Sequence, residues 1–541
     1  MRLMIAASAL ALLAAAPAAA QSAGSSGDKS KSLDALHSDA MIEQAKSGYA
    51  DAPVDERTVQ TRHSAAVSGR VLPYTATAGT LTIRDNAGKP KASIFYTAYT
   101  LDGAPTGRRP VMFFYNGGPG SASLWLRMGS FGPMRLQTGN PEAIRPAPFN
   151  FGSNPDTLLG TTDMVFIDAP GTGFSRPLGD AKGSDFYGVD QDADAFARAI
   201  IRYVTKFGRW DSPKFLFGES YGTTRSGALA YQLQDRGMAL NGVVLLSSIM
   251  NYGRRQPGLD RDYINYLPSY ATTAWYHHKM PNPPASVEQA AAEARAFAQG
   301  PYAAALEKGQ TISPQERDSV AQQMSALTGL TPEFIERADL RVDLSRFRKE
   351  LLRNERETIG RYDSRYTGVD PDAAGESPEY DASDTAISGA FIGTLNTYLA
   401  RDLNYQTNMA YRASASDEEG FKWDWNHKAP GSRFALQQPN TALDLAQAMR
   451  TNPYLKVLSL NGYYDMATPF FGTEYDLNHM MLEPAQARNL EFRYYPSGHM
   501  VYLNPDALHL MRLDVERFID EAVGEAQAGT PPAAAPRRRR S

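Results

Sequence analysis

Phe215-Leu216-Phe217-Gly218-Glu219-Ser220-Tyr221-Gly222 is the stretch on which the reading of this chain turns. A short apolar strand runs into a glycine-flanked serine, and Tyr221–Gln234 continues with helical character. A G-x-S-x-G pentapeptide between strand and helix is a nucleophile elbow: the tight turn lifts the serine hydroxyl clear, and the glycines prevent clashes between turn and helix. Working outward, Val111–Tyr115 and Met164–Ile167 are continuous apolar runs, as expected of strands covered on both faces, and Gly242–Leu246 is another strand. Phe196, Ala199, Ile200, Tyr203, Val204 and Phe207 fall on one helical face. Strands alternating with helices predict an α/β fold around a parallel sheet. Ahead of them, Thr80–Ile83 and Ser93–Tyr99 alternate as β-strands, with a turn at Asn86-Ala87-Gly88.

The alternation breaks after Asn251. Residues 285–358 are rich in Ala, Glu, Arg and Gln and predict helices, and strand character returns only at Leu455–Leu460 and Leu490–Tyr495. A mainly helical block is therefore expected within the α/β sequence, in the position of a lid, with its basic stretch Arg341–Arg361 as a solvated helix face. The expected divisions are a signal peptide at 1–20, a flexible segment at 21–56, core at 57–252, lid at 253–390, core again at 391–525, and a disordered Arg-rich tail at 526–541.

Composition narrows the function. The 541 residues are 42% hydrophobic, enough for a large core. With 55 basic and 59 acidic side chains the net charge is −4, which argues against a nucleic-acid binder. Cysteine is absent, so disulfides, a thiolate nucleophile and Cys-ligated metals are excluded. Nothing in the motifs implies a metal or other cofactor. Arg2 ahead of the apolar run Leu3–Ala16, with Ala18-Ala19-Ala20 before Gln21, reads as a cleavable secretory signal shorter than the roughly 20 residues of a membrane span. An exported chain without disulfides suits a bacterial periplasm or the exterior, with no stable membrane insertion after cleavage.

A serine nucleophile needs a base. Of the eight histidines, His499 stands on the loop directly after the last strand, where an α/β-hydrolase carries its base; His427 lies on the aromatic loop Trp423–His427, and His479 and His509 lie in helical stretches. Asp465 stands at the end of the preceding strand, and the order Ser220, Asp465, His499 is that of the α/β-hydrolases. Asp465 would hold the imidazole tautomer and stabilise the imidazolium. Asn116-Gly117-Gly118-Pro119-Gly120 follows a strand, so the amides of Gly118 and Tyr221 are expected to form the oxyanion hole. The fold expected is an α/β-hydrolase with a central, mostly parallel sheet and a mainly helical lid insertion.

Taken together these segments resemble the serine carboxypeptidase family. Asn116–Leu124 followed by Gly132-Pro133, then Asp168–Ser175, Gly218–Gly222 with its Glu before the serine, and Gly498-His499-Met500 all match that family's pattern. The resemblance implies release of a peptide's last residue through an acyl-enzyme, with Asn116 and Glu219 binding the terminal carboxylate, and carries the expectation of a homodimer. Glu219 can donate to a carboxylate only when protonated, which implies an acid preference.

The chain departs from the family at Ser130, where a second Glu is usual, and at Phe114, where a Trp is usual. Ser130 is expected still to hydrogen-bond a carboxylate, making the acid preference shallower, and Arg127 or Arg135 to supply a compensating charge. Two further readings stay open: an esterase or acyltransferase on the same three residues, and a secreted binding protein without catalysis.

Overall fold

The computed structural model describes residues 52–528 except 68, 106, 418 and 419. The expected signal at 1–20, the flexible segment as far as 51 and the tail beyond Ala528 lie outside the described residues. The end of the segment expected to be flexible is fastened: Glu56 accepts from Thr82 N at 3.0 Å and pairs with Arg202 at 2.8 Å and Lys206 at 3.0 Å.

Among the described residues, nine strands run through the main sheet: β1 (Thr58–Val67), β2 (Arg70–Arg84), β3 (Pro90–Leu101), β4 (Val111–Tyr115), β5 (Asp163–Ile167), β6 (Lys214–Glu219), β7 (Gly242–Leu246), β8 (Lys456–Gly462) and β9 (Leu490–Tyr495). Their order is β1-β2-β3-β5-β4-β6-β7-β8-β9, and a two-residue strand, Arg176–Pro177, also pairs with β3. The first three strands and β5 pair antiparallel; from β5 to β9 every pairing is parallel.

Burial on both faces explains the unbroken apolar runs of the central strands. In β4, Met112 and Phe114 enter one core while Val111, Phe113 and Tyr115 enter the other. Helix α1 (Val189–Lys206) covers the second face with the predicted stripe of Phe196, Ala199, Ile200, Tyr203 and Val204, and helix α2 (Tyr221–Asp235) packs beside it. The last helix, Pro505–Ala528, runs beyond the expected end of the core at 525, because Met511, Val515, Phe518 and Ile519 keep its apolar face on the sheet.

Between β7 and β8 the chain builds a helical block that opens with α3 (Arg261–Tyr276) and contains a small hairpin, Glu357–Ile359 with Thr367–Val369. Its own core includes Tyr270 stacked on Phe347 at 4.0 Å. Tyr463, Tyr464, Met466, Phe470 and Phe471, from the segment after β8, belong to the same cluster, so the block rests directly on that segment.

Arg341–Arg361 is not a solvated face. Lys349 is fully buried and bonds Asp370 Oδ1 at 2.6 Å, Arg348 donates to Ile359 O at 3.0 Å, and Arg341 pairs with Asp260 at 2.6 Å. The hairpin folds over helix Leu344–Glu350 and supplies the carboxylate. Cation spacing alone cannot distinguish a solvated charge from one paired by a distant part of the chain. Helix Ser388–Thr397 crosses the expected boundary at 390 and packs Phe391 and Leu395 into the main core. The following segment runs irregularly across the Gly117–Gly120 turn, with Ala415 N donating to Gly120 O at 2.7 Å.

Candidate active site

Strands β6, β7, β8 and β9 are parallel neighbours, so the loops leaving their carboxyl ends meet along one edge of the sheet. Ser220 follows β6, Asp465 follows β8 and His499 follows β9. Ser220 has φ 61° and ψ −130°, and its amide donates to Leu246 O at 3.0 Å. This backbone state costs of order 1–3 kcal/mol in a non-glycine residue and persists only where packing enforces it. The packing is tight: a Cβ on Gly218 would stand 2.3 Å from Gly222 O, and one on Gly117 2.4 Å from Tyr221 N.

Asp465 and His499 are in contact and buried. His499 Nδ1 donates to Asp465 Oδ2 at 2.8 Å, while Ala467 N and Thr468 N donate to Oδ1 at 2.8 and 2.9 Å. The Thr468 hydroxyl lies 2.7 Å from Asp465 Oδ2 and 3.1 Å from His499 Nδ1. With Nδ1 carrying the proton, Nε2 of the neutral ring is left as an acceptor. Burial works against charging His499, but the charge and hydrogen bond of Asp465, with the charge of Glu219, raise its pKa above the ordinary histidine value. The His499 backbone is held by Ser247 Oγ, which donates to His499 O at 2.6 Å, and by Tyr362 O, which accepts from His499 N at 2.6 Å.

The Gly117–Gly120 turn lies against the elbow. Gly118 has φ 104°, a conformation open to glycine, and the Tyr221 amide opens α2, where no carbonyl of its own helix can reach it. Amides so placed are able to donate to a developing oxyanion.

Glu219 and Asn116 form a second buried cluster with Tyr502, whose hydroxyl donates to Glu219 Oε2 at 2.9 Å. Asn116 Oδ1 accepts from Leu126 N at 3.1 Å, and its side chain also hydrogen-bonds Glu219. Burial raises the Glu219 pKa to about 7, although the His499 charge and the bonds from Tyr502 and Asn116 oppose the shift. Half of this carboxyl is therefore protonated near neutrality.

Three expectations about carboxylate binding are corrected. Ser130 is fully buried and donates its hydroxyl proton to Leu126 O at 2.6 Å, so it has none to offer a substrate. Arg127 is buried against Asp168 at 3.0 Å and Ser123 Oγ at 2.9 Å. Arg135, whose pKa burial lowers to about 10, donates to Thr138 Oγ1 at 3.0 Å and Tyr502 O at 3.2 Å. Phe114 packs in the core between Phe166 and Phe217, at 4.7 and 4.9 Å between ring centres.

Thr468, Ser247, Tyr502 and Tyr362 were not legible as site residues. Thr468 and Tyr502 stand three residues beyond Asp465 and His499, a spacing that offers a faint signal; Ser247 and Tyr362 arrive only through sheet order and lid packing.

His427 is a structural clamp. Its Nδ1 lies 2.6 Å from Asp190 Oδ1, in the first turn of α1, and its Nε2 lies 2.9 Å from Asp444 Oδ2. It anchors the loop whose Trp423 packs on Tyr221 at 5.2 Å. Burial lowers its pKa, but hydrogen bonds to both carboxylates outweigh that and lift it to about 9. A raised folded-state pKa contributes stability that is complete below the unfolded value and lost as pH rises through the folded one. Urea unfolding of the wild type is expected to weaken between pH 7 and pH 10 by up to about 3 kcal/mol, and His427→Gln to flatten that decline. Parallel pH profiles for the two proteins would remove the clamp from the account.

The strand order, the parallel half of the sheet and the serine elbow define an α/β-hydrolase fold. Residues 69–280 match the sequence model of the serine carboxypeptidase family. The expected relationship to that family is thus found over the segment carrying Asn116–Gly120 and Gly218–Gly222. Serine carboxypeptidase 1 of Hordeum vulgare is 24% identical over 165 residues, covering 30% of this chain and 31% of that one. The chain therefore matches about a third of that relative's length. Among solved structures, a proline iminopeptidase of Mycobacterium smegmatis is 15% identical, with 83% of this chain and 99% of that one covered at TM-score 0.35. A carboxyl esterase of Bacillus coagulans is 11% identical, with 82% and 98% covered at TM-score 0.31. Among the described residues no group of three or more metal-ligating side chains is placed to hold a metal ion, and no helix is long and apolar enough to cross a membrane.

Proposed function

We propose that this chain is a serine-type carboxypeptidase acting outside the cytoplasm on peptides. Ser220 Oγ attacks the carbonyl carbon of the last peptide bond while His499 Nε2 takes its proton, and the oxyanion is held by the amides of Gly118 and Tyr221. As the C–N bond breaks, His499 returns that proton to the leaving amine, and water then hydrolyses the acyl-enzyme by the same route. The observation that carries the reading is Glu219: a carboxyl next to the elbow serine, buried with Asn116 and Tyr502 and titrating near neutrality. Protonated, it donates to a terminal carboxylate; ionised, it repels one.

The test is release of the last residue from a free peptide and its amidated twin between pH 4 and pH 8, with Ser220→Ala as blank. Release from the free peptide alone supports the reading, and equal, Ser220-dependent cleavage of both overturns it. Glu219 sets a sharper expectation. For the free peptide, kcat/KM is to fall about tenfold per pH unit above about 7 as Glu219 ionises. Glu219→Gln, a donor at every pH, is to lose that descending limb; its persistence would assign it to another group.

The esterase or acyltransferase reading draws its support from Ser130, whose hydroxyl proton goes to Leu126 O, and from Arg127, which is buried and paired with Asp168.

A further inference from the structure

Asn116 and Glu219 bring no positive charge to a substrate carboxylate. A cation without a carboxylate partner stands near His499, on the lid, its side chain hydrogen-bonded to Tyr362. Arg361 begins a segment tied to both functional loops: its carbonyl accepts from Met466 N at 3.1 Å, one residue past Asp465, and the next carbonyl, of Tyr362, accepts from His499 N. The approach is close, since a Cβ on Gly498 would stand 2.5 Å from Tyr362 O. The Tyr362 ring lies 5.3 Å from the His499 ring, and the Arg361 guanidinium lies 5.4 Å from the centre of the Tyr362 ring. Arg361 is half-buried, and among the described residues no carboxylate pairs with its guanidinium. Asp381 accepts from the Arg361 backbone amide at 3.1 Å and pairs with Arg348 at 3.7 Å. The charge of Arg361 is nevertheless felt at His499.

This position has a chemical meaning if Ser220, His499 and Asp465 work as proposed above, and the inference rests on that reading. His499 must touch the leaving nitrogen to protonate it, so the leaving part of the substrate lies against the lid face of the imidazole. We infer that Arg361 is a specificity-determining residue that binds a carboxylate on the leaving side of the scissile bond. A guanidinium offers a planar pair of donors matched to a carboxylate, and a half-buried pair is stronger than one at an open surface. The carboxylate has two sources, the peptide's free C-terminus or an acidic side chain on its last residue.

The experiment uses four peptides that differ only in the last residue, Glu or Gln, each with a free or an amidated terminus. Initial rates are measured for the wild type, Arg361→Gln and Arg361→Lys, with melting temperature as a control. If the terminus is bound, Arg361→Gln is expected to cut the free-to-amide ratio of kcat/KM about tenfold or more, mainly through KM. If the side chain is bound, the Glu-to-Gln ratio collapses instead. Arg361→Lys should recover part of either loss, because charge survives without the planar fork. Unchanged ratios, or one uniform loss across all four peptides, would overturn the inference. Calorimetric binding of the same peptides to Ser220→Ala, with and without Arg361→Gln, gives an answer independent of turnover. No Ser220-dependent release from any peptide would sink the carboxypeptidase reading, whereas a carboxylate preference in binding that ignores Arg361 would sink this inference alone.

Discussion

Replacing Ser220 with alanine is expected to reduce kcat for peptide release by about 10⁴-fold or more while leaving the melting temperature within about 2 °C of wild type. Both halves follow from the elbow. The residue sits at φ 61° with its amide on Leu246 O, and an alanine keeps that backbone bond and pays the same conformational cost. What disappears is the oxygen that would be acylated. Residual rate above water would report the amides of Gly118 and Tyr221 acting on a bound peptide. Full activity in the purified variant would exclude Ser220 as the nucleophile, and a large fall in melting temperature would show the hydroxyl to be structural. An active-site phosphonate label, followed by peptide mapping, checks the assignment independently.

Asp465→Asn is expected to cost about as much, near 10⁴-fold in kcat, again with the fold retained. The two amides of Ala467 and Thr468 point at Oδ1, so the new side chain keeps its oxygen there and turns its NH₂ towards His499. Two donors then face each other across the 2.8 Å contact. The imidazole can relieve this only by moving its proton to Nε2, the atom that must accept from Ser220. Because the rotated tautomer is the cause, the loss should lie in kcat and leave KM little changed, and the nitrogen chemical shifts of His499 should exchange roles. A variant within tenfold of wild type would mean that Thr468, 3.1 Å from Nδ1, orients the ring unaided.

The parts of this molecule that were legible in the sequence are those written in local pattern. Val111–Tyr115 and Gly242–Leu246 are strands with the residue limits that their apolar runs suggest. Strands buried on both faces leave no polar alternation to blur them. The elbow is local in part: a Cβ on Gly218 would stand 2.3 Å from Gly222 O in the same turn, whereas one on Gly222 would stand 2.9 Å from Tyr115 O on β4. Asp465 and His499 stand after strands that pair side by side, Val457 against Leu490, and this adjacency brings the two side chains into contact.

What failed to be legible depends on partners far away along the chain. Ser130 looks like an available hydroxyl, yet the helix that ends beside it takes its proton. Arg348 and Lys349 look like a wet helix face, yet a hairpin closes over them and Asp370 neutralises the lysine. His427 looks like one polar residue on an aromatic loop, yet two carboxylates, 237 residues before it and 17 after it, turn it into a clamp. By itself the sequence determined the α/β-hydrolase class and the serine at its elbow, because turns and two-sided burial leave marks within a few residues. Only the tertiary structure decided that side chains such as Ser130, Lys349 and His427 are spent on the protein itself: a hydrogen-bond partner is chosen by distance in space, and sequence spacing does not record it.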